Sequence, residues 1–183
     1  MCIRDRFVPD YELSTEKARQ ALPRELPYKD AVYNVSRVGL LPAAMNPVVL
    51  AQAAQQGKSG VAASPAQDAD ACACAGGTRE SAFADELAAA QAQSNALLFT
   101  ATQDKLHQPY RGALMPPSAE LIALFRSKGY AAAVSGAGPC VLVLHYGNAR
   151  EAIDQIASEQ LASGHWRVLH LPINTAGVEI ERR

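Results

Sequence analysis

Three stretches of this 183-residue chain combine residue types and spacings that suit chemistry. In the first, Ser135-Gly136-Ala137-Gly138-Pro139 separates two apolar runs, Ala131–Val134 and Cys140–Leu144. Gly136 and Gly138 leave the backbone bare at alternate positions, which lets a ligand or a second loop approach the main chain closely. Successive free N–H groups in such a turn form a cradle for an anion. The plainer reading is a hairpin whose glycines only satisfy positive φ, since such pairs are common turn punctuation. In the second stretch, Asp104 to Arg111 reads DKLHQPYR and crowds His107, Gln108, Tyr110 and Arg111 onto a loop edge, where binding residues concentrate. His107 by itself reads as a surface or capping histidine. In the third, Thr15 and Arg19 are four residues apart in a short helical segment and share a face. Their plain reading is a cap and a solvated charge.

The elements that must position these residues are set by local pattern. Ser14 or Thr15 caps a helix of about two turns that stops before Pro23. Tyr28–Leu41 reads as a second helix, with Val32, Val35 and Gly39 at helical spacing, either reaching Ala44 or breaking near Pro42. Asn34 and Arg37 could face a site or simply water, and water is the plainer expectation. Thr78–Thr102 reads as one long helix with an apolar stripe through Phe83, Leu87, Ala90, Ser94, Leu97 and Leu98. Ser118 caps a helix ending at Gly129, and Asn148–Ala162 is another. Strands are expected at Ala131–Val134, Cys140–Leu144, His165–Pro172 and Ala176–Ile180, with Phe7–Pro9 as the end of one more. The order predicts an α+β fold, an antiparallel sheet with helices packed on one face.

Domain organisation is read from the same pattern. Residues 1–6, MCIRDR, do not match the rest of the chain and are expected to be an atypical leader outside the native structure, with the domain spanning 7–183. The charged start also suggests a fragment whose upstream region is missing. From about residue 52 to 77 the sequence falls to Ala, Gln, Ser and Gly, too poor in large apolar groups to offset the entropy of ordering. This stretch is expected to be a low-complexity insertion. Gly57-Lys58-Ser59 within it ends like a P-loop, but the glycine required five positions earlier is Gln52 and no strand leads in.

Composition removes several function classes. The chain is 49% hydrophobic and 19% charged, with 17 basic and 18 acidic residues and a net charge of −1. No basic stripe fits nucleic acid, and no apolar run approaches the ~18 residues of a membrane span. Cys2, Cys72, Cys74 and Cys140 fit neither a disulfide framework nor a zinc site. No metal site is expected, and a cytoplasmic location is the default.

Read together, S-T-x-x-A-R-x-x-L-P at residues 14–23, D-x-x-H-Q-P-Y-R at 104–111 and S-G-A-G-P at 135–139 resemble the C-terminal half of the homoserine kinases, in the GHMP small-molecule kinase superfamily. Asn34-Val35-Ser36-Arg37 and Asn174-Thr175-Ala176-Gly177 extend the likeness. It covers nearly the whole chain outside the leader and the insertion, which is longer than the likeness leads one to expect. The resemblance implies transfer of the γ-phosphoryl group of ATP, with Mg²⁺, to the hydroxyl of L-homoserine, giving O-phosphohomoserine on the route to threonine. It implies that Arg19 and Arg111 hold the amino-acid carboxylate, for which the arginine fork is suited. Thr15 would lie near the reacting hydroxyl or phosphate. Gly136, within the loop Ser135, Gly136, Ala137 and Gly138, would bring bare backbone against the substrate. Homodimers are frequent in the family.

The family's ATP phosphate loop, P-x-x-x-G-L-G-S-S, has no counterpart in the sequence. Most nucleotide contacts and the acid that holds Mg²⁺ are therefore expected outside this chain, which by itself would be inactive. No general base is identified. The alternatives are another GHMP kinase acting on a different small alcohol, such as mevalonate or shikimate, and a non-catalytic α+β ligand-binding module. Arg19 and Arg111 argue for a carboxylated acceptor, and the D-x-x-H-Q-P-Y-R stretch favours homoserine.

Overall fold

The computed structural model describes residues 2–47 and 79–172. The insertion at 52–77, Gly57-Lys58-Ser59, the final strand expected at Ala176–Ile180 and Asn174–Gly177 lie outside these residues.

A four-stranded antiparallel sheet organises the domain. Its strands are β1 (Cys2–Pro9), β2 (Ala131–Val134), β3 (Val141–Tyr146) and β4 (Trp166–Pro172), in the order β2-β3-β1-β4. Every neighbouring pair is antiparallel. The α+β class and the antiparallel sheet are as expected from the sequence. Residues 2–6 are not a leader outside it. Cys2 to Phe7 pair with Tyr146 to Val141, and Ile3 to Pro9 pair with Pro172 to Trp166, so this stretch runs through the middle of the sheet. Strand pairing is made by backbone N–H and C=O groups and tolerates charged side chains where these find partners. Asp5 finds them. It is fully buried, and its carboxylate meets Nε2 of His145 at 2.9 Å and Nδ1 of His170 at 2.7 Å. Burial pushes the Asp5 carboxyl up, but the two imidazoles outweigh it and the pKa lies below the ordinary value.

The helices are α1 (Thr15–Gln20), α2 (Tyr28–Val38), α3 (Leu41–Ala44), α4 (Arg79–Ala101), α5 (Gln108–Arg111), α6 (Pro116–Ser127), α7 (Arg150–Ile156) and α8 (Ser158–Ala162). Alternation along the strands assigns them to layers. Phe7, Ala132, Val141 and Val143 share one face and pack under Leu121, Ile122 and Phe125 of α6 and Ile153 of α7. Phe125 is the hub, tilted against Phe7 at 5.1 Å and edge-on to Tyr130 at 6.3 Å between ring centroids. Burying each such ring stabilises the fold by roughly 1.5–3 kcal/mol.

Ala131, Leu144 and Tyr146, of opposite parity, cluster with Leu98 of α4 and Ala44 of α3. The helical cover therefore reaches the second face as well, over β2 and β3. Val141-Leu142-Val143-Leu144 is apolar without alternation, the mark of a strand covered on both sides.

Two further details differ from the sequence reading. The stretch 148–162 forms two helices that break at the buried Ala157. Ser118 does not cap α6, which begins two residues earlier with Pro116-Pro117. Its buried hydroxyl donates to the Pro139 carbonyl and accepts from Tyr11 Oη at 2.7 Å, tying the glycine turn to α6.

Candidate functional site

The glycine turn closes with Ser135 N–H donating to the Cys140 carbonyl at 2.8 Å. Its two glycines differ in purpose. Gly138 has φ +98°, and a Cβ there would stand 2.5 Å from Met115 Sδ and 3.5 Å from Leu13 Cδ2. Its bare backbone serves the packing of α6 and the turn, with the plainer hairpin reading applying here. Gly136 has φ +71° with nothing within 4 Å of where a Cβ would sit. It borders an open cavity of about 390 Å³, lined also by Asn34, Asp104, His107, Gln108 and Arg111.

Arg111 joins the turn to α1. Its Nε donates to the Ala18 carbonyl at 3.1 Å, and one Nη reaches the Gly136 carbonyl at 3.4 Å. Ala18 is fully buried, which fixes that carbonyl. Helix α1 itself is set by Ser14, whose hydroxyl accepts from the Lys17 N–H. Arg19 follows Ala18, and Thr15 opens the helix; both are exposed and neither lines the cavity. Arg111 and Gly136 are thus in direct contact, whereas Thr15 and Arg19 are linked to them only through the Ala18 backbone. Ser135 and Ala137 are half-buried within the turn.

The polar centre of the site is Asp104. Its Oδ1 accepts from Asn34 Nδ2 at 2.6 Å and from the Leu106 N–H at 2.8 Å. Its Oδ2 accepts from the N–H groups of His107 and Gln108 at 3.0 and 2.6 Å. Burial pushes the carboxyl up, yet these four donors hold its pKa below the ordinary value. Asn34 completes a reciprocal pair by accepting from the Lys105 N–H at 2.9 Å. Asn34 is therefore engaged with the loop and not turned to water. Arg37 lies 3.7 Å over the Tyr33 ring. His107, exposed, precedes α5 with Nδ1 3.4 Å from Asp104, and its side chain makes no capping hydrogen bond to the helix. Gln108 Oε1 accepts from the Val134 N–H at 3.2 Å and so fastens α5 to the edge strand β2.

Beyond the Asp104 loop lies a second cavity, of about 480 Å³, with walls from Tyr33, Phe99, Ile122 and Arg126. Its polar groups are already matched. Tyr33 donates to Gln103, and Arg126 donates to the Phe99 and Ala132 carbonyls, both at 2.8 Å, and to Thr102 Oγ1 at 3.1 Å. Arg126 thereby clamps the end of α4 to β2 and anchors the loop that leads to Asp104.

Residues 81–162 match the family described as GHMP kinases C terminal. This span is similar to the C-terminal domain of the GHMP kinases. The matched span runs from α4 to α8 and includes Asp104, Arg111 and the glycine turn. The homoserine kinase of Leifsonia xyli subsp. xyli is 33% identical over 178 residues, 96% of this chain and 40% of that protein. That of Corynebacterium aurimucosum is also 33% identical, over 96% of this chain and 41% of that protein. A crystal structure of homoserine kinase from Cytophaga hutchinsonii aligns at a TM-score of 0.57 over 93% of this chain and 40% of that one. At 17% identity that likeness speaks for the fold. The chain spans about 40% of the length of the relatives it matches.

Asn34 and Asp104 are the residues whose engagement the sequence does not announce. The available signal is the aspartate four residues before Gln108 at a helix start, where carboxylates satisfy orphan N–H groups.

Proposed function

We propose that this chain forms the acceptor side of an ATP-dependent kinase that phosphorylates the hydroxyl of L-homoserine. The observation that supports it most is Arg111, braced between the Ala18 and Gly136 carbonyls at the edge of a cavity. A guanidinium held in this way offers its remaining N–H groups to a planar carboxylate as a preset fork. Arg19 would share that carboxylate from α1, and Thr15 would stand near the reacting hydroxyl. Gly136 would form a wall that lets substrate approach the backbone. Such a site accelerates phosphoryl transfer by fixing the hydroxyl in line with the γ-phosphate, with charge neutralised by groups around it.

Asp104, the carboxylate at the cavity, is saturated by four N–H donors and is unsuited to Mg²⁺. Among the described residues no group of three or more His, Cys, Asp or Glu stands ready for a metal. In this reading ATP and Mg²⁺ are held mainly by polypeptide outside this chain. The chain alone is expected to be inactive. Among the described residues no helix is long and apolar enough to cross a membrane. A cytoplasmic, homodimeric enzyme of the threonine route completes the proposal.

The test is a chimera in which this chain replaces the matching region of the Leifsonia xyli relative. Arg111→Ala there is expected to raise the Michaelis constant for homoserine about 30-fold, the loss of one charge-assisted hydrogen-bond pair. The constant for ATP should stay within about two-fold. Equal effects on both, or turnover by the isolated chain, would overturn the reading.

A further inference from the structure

Helix α5 is a single turn of four residues, Gln108–Arg111. One turn has no stability of its own, because nucleation costs more than its first hydrogen bond returns. Its direction is set from outside, at two ends. At its far end, Arg111 reaches Ala18 and Gly136. At its near end, the Asp104 carboxylate gathers the N–H groups of Leu106, His107 and Gln108, which points the turn at the cavity. Asp104 is in turn oriented by Asn34, from the separate helix α2, through a 2.6 Å hydrogen bond. The Asn34 side-chain Oδ1 accepts from the Lys105 N–H, so the amide cannot rotate without losing both bonds.

We propose that Asn34 and Asp104 are positioning residues for Arg111: the amide–carboxylate pair is the fixed point from which α5 aims the guanidinium across the cavity. The pair lines the same 390 Å³ cavity as Arg111 and Gly136. An arginine on an unfixed one-turn helix loses its aim by rotation alone, and with it the paired, parallel hydrogen bonds that hold a carboxylate. This inference rests on Arg111 being the ligand of the substrate carboxylate.

Two variants test it in the chimera: Asn34→Leu removes both bonds, and Asn34→Asp keeps an acceptor for Lys105 while setting a like charge against Asp104. Each is expected to raise the Michaelis constant for homoserine about ten-fold, with that for ATP unchanged and kcat within about three-fold. In the Arg111→Ala background either change should add less than two-fold, since there is no guanidinium left to aim. Full additivity, or equal loss on both substrates, overturns the proposal. An effect of Arg111→Ala with none from Asn34 overturns it while sparing the carboxylate reading. No effect of Arg111→Ala sinks both. If Asn34→Leu does not fold, Asn34→Asp and nuclear magnetic resonance on this chain decide. There the Arg111 Nε–H signal should be slow to exchange in the parent and fast in Asn34→Asp; equal exchange in the two counts against positioning.

Discussion

The face of the sheet under α6 and the loop around Asp104 are held by opposite kinds of force. Under α6, Phe7, Phe125, Val141, Val143 and Ile153 are fully buried and owe their places to apolar contact in every direction. Around Asp104, one carboxylate collects four N–H donors and a one-turn helix hangs from it. The first is non-directional and tolerates small errors of aim. The second is directional, and it is the one that faces the cavity. The sheet supplies stability, and in the proposed reading the loop converts that stability into the orientation of a single guanidinium. The glycine turn joins the two, with Gly138 packed on the core side and Gly136 open on the cavity side.

The contrast is sharpest at Phe125. Phe125→Ala should cost about 4 kcal/mol in denaturant unfolding of the chain, from lost transfer energy and the cavity left behind. That loss should be the same from pH 3 to pH 7. A loss that varies steeply with pH would show that the core depends on charges.

The two glycines break the comparison at its junction. Gly138→Ala must force both a left-handed alanine and a Cβ against buried Met115, at about 3 kcal/mol. Gly136→Ala meets open space and bears only the backbone term, about 1 kcal/mol. Thermal or denaturant unfolding of both variants separates them. Equal losses would mean that Met115 yields freely and that the turn is not anchored on its core side.

The effect expected at Asp104 is smaller than at Phe125 or Gly138, and it carries a pH signature. Its folded pKa lies below the ordinary 3.8. Its stabilisation is therefore complete above that value and is lost as pH falls through the lower, folded value. Asp104→Asn should cost about 1.5 kcal/mol at pH 7, from weakened charge-assisted bonds to the backbone, and progressively less below pH 4. Unfolding free energies at pH 3 and pH 7 measure this; a pH-independent loss would remove the carboxylate from its proposed place at the centre of the loop.

Much of this is readable from residue order. Period and caps locate α1, α2, α4, α6, β2, β3 and β4 within a few residues, because each carries a local signal that needs no partner. The leading MCIRDR reads as a leader, since charged residues give no strand pattern; only the histidines of β3 and β4, far along the chain, make a buried Asp5 tolerable. The second covered face of the sheet is hidden for a related reason. An unbroken apolar run does not say which helix will cover each side, and α4 becomes its cover only once the chain has folded back.

Residue order alone fixes the antiparallel α+β class, the glycine turn and the motifs that resemble those of the GHMP kinases. These depend on local geometry and on residue identity. Tertiary structure decided which of those residues meet. It set Arg111 on the carbonyls of Ala18 and Gly136, left Thr15 and Arg19 exposed on α1, and drew Asn34 from α2 onto Asp104. Hydrogen bonds between residues about 25 to 93 positions apart leave no periodic trace in the chain, because their partners are chosen by how the layers pack.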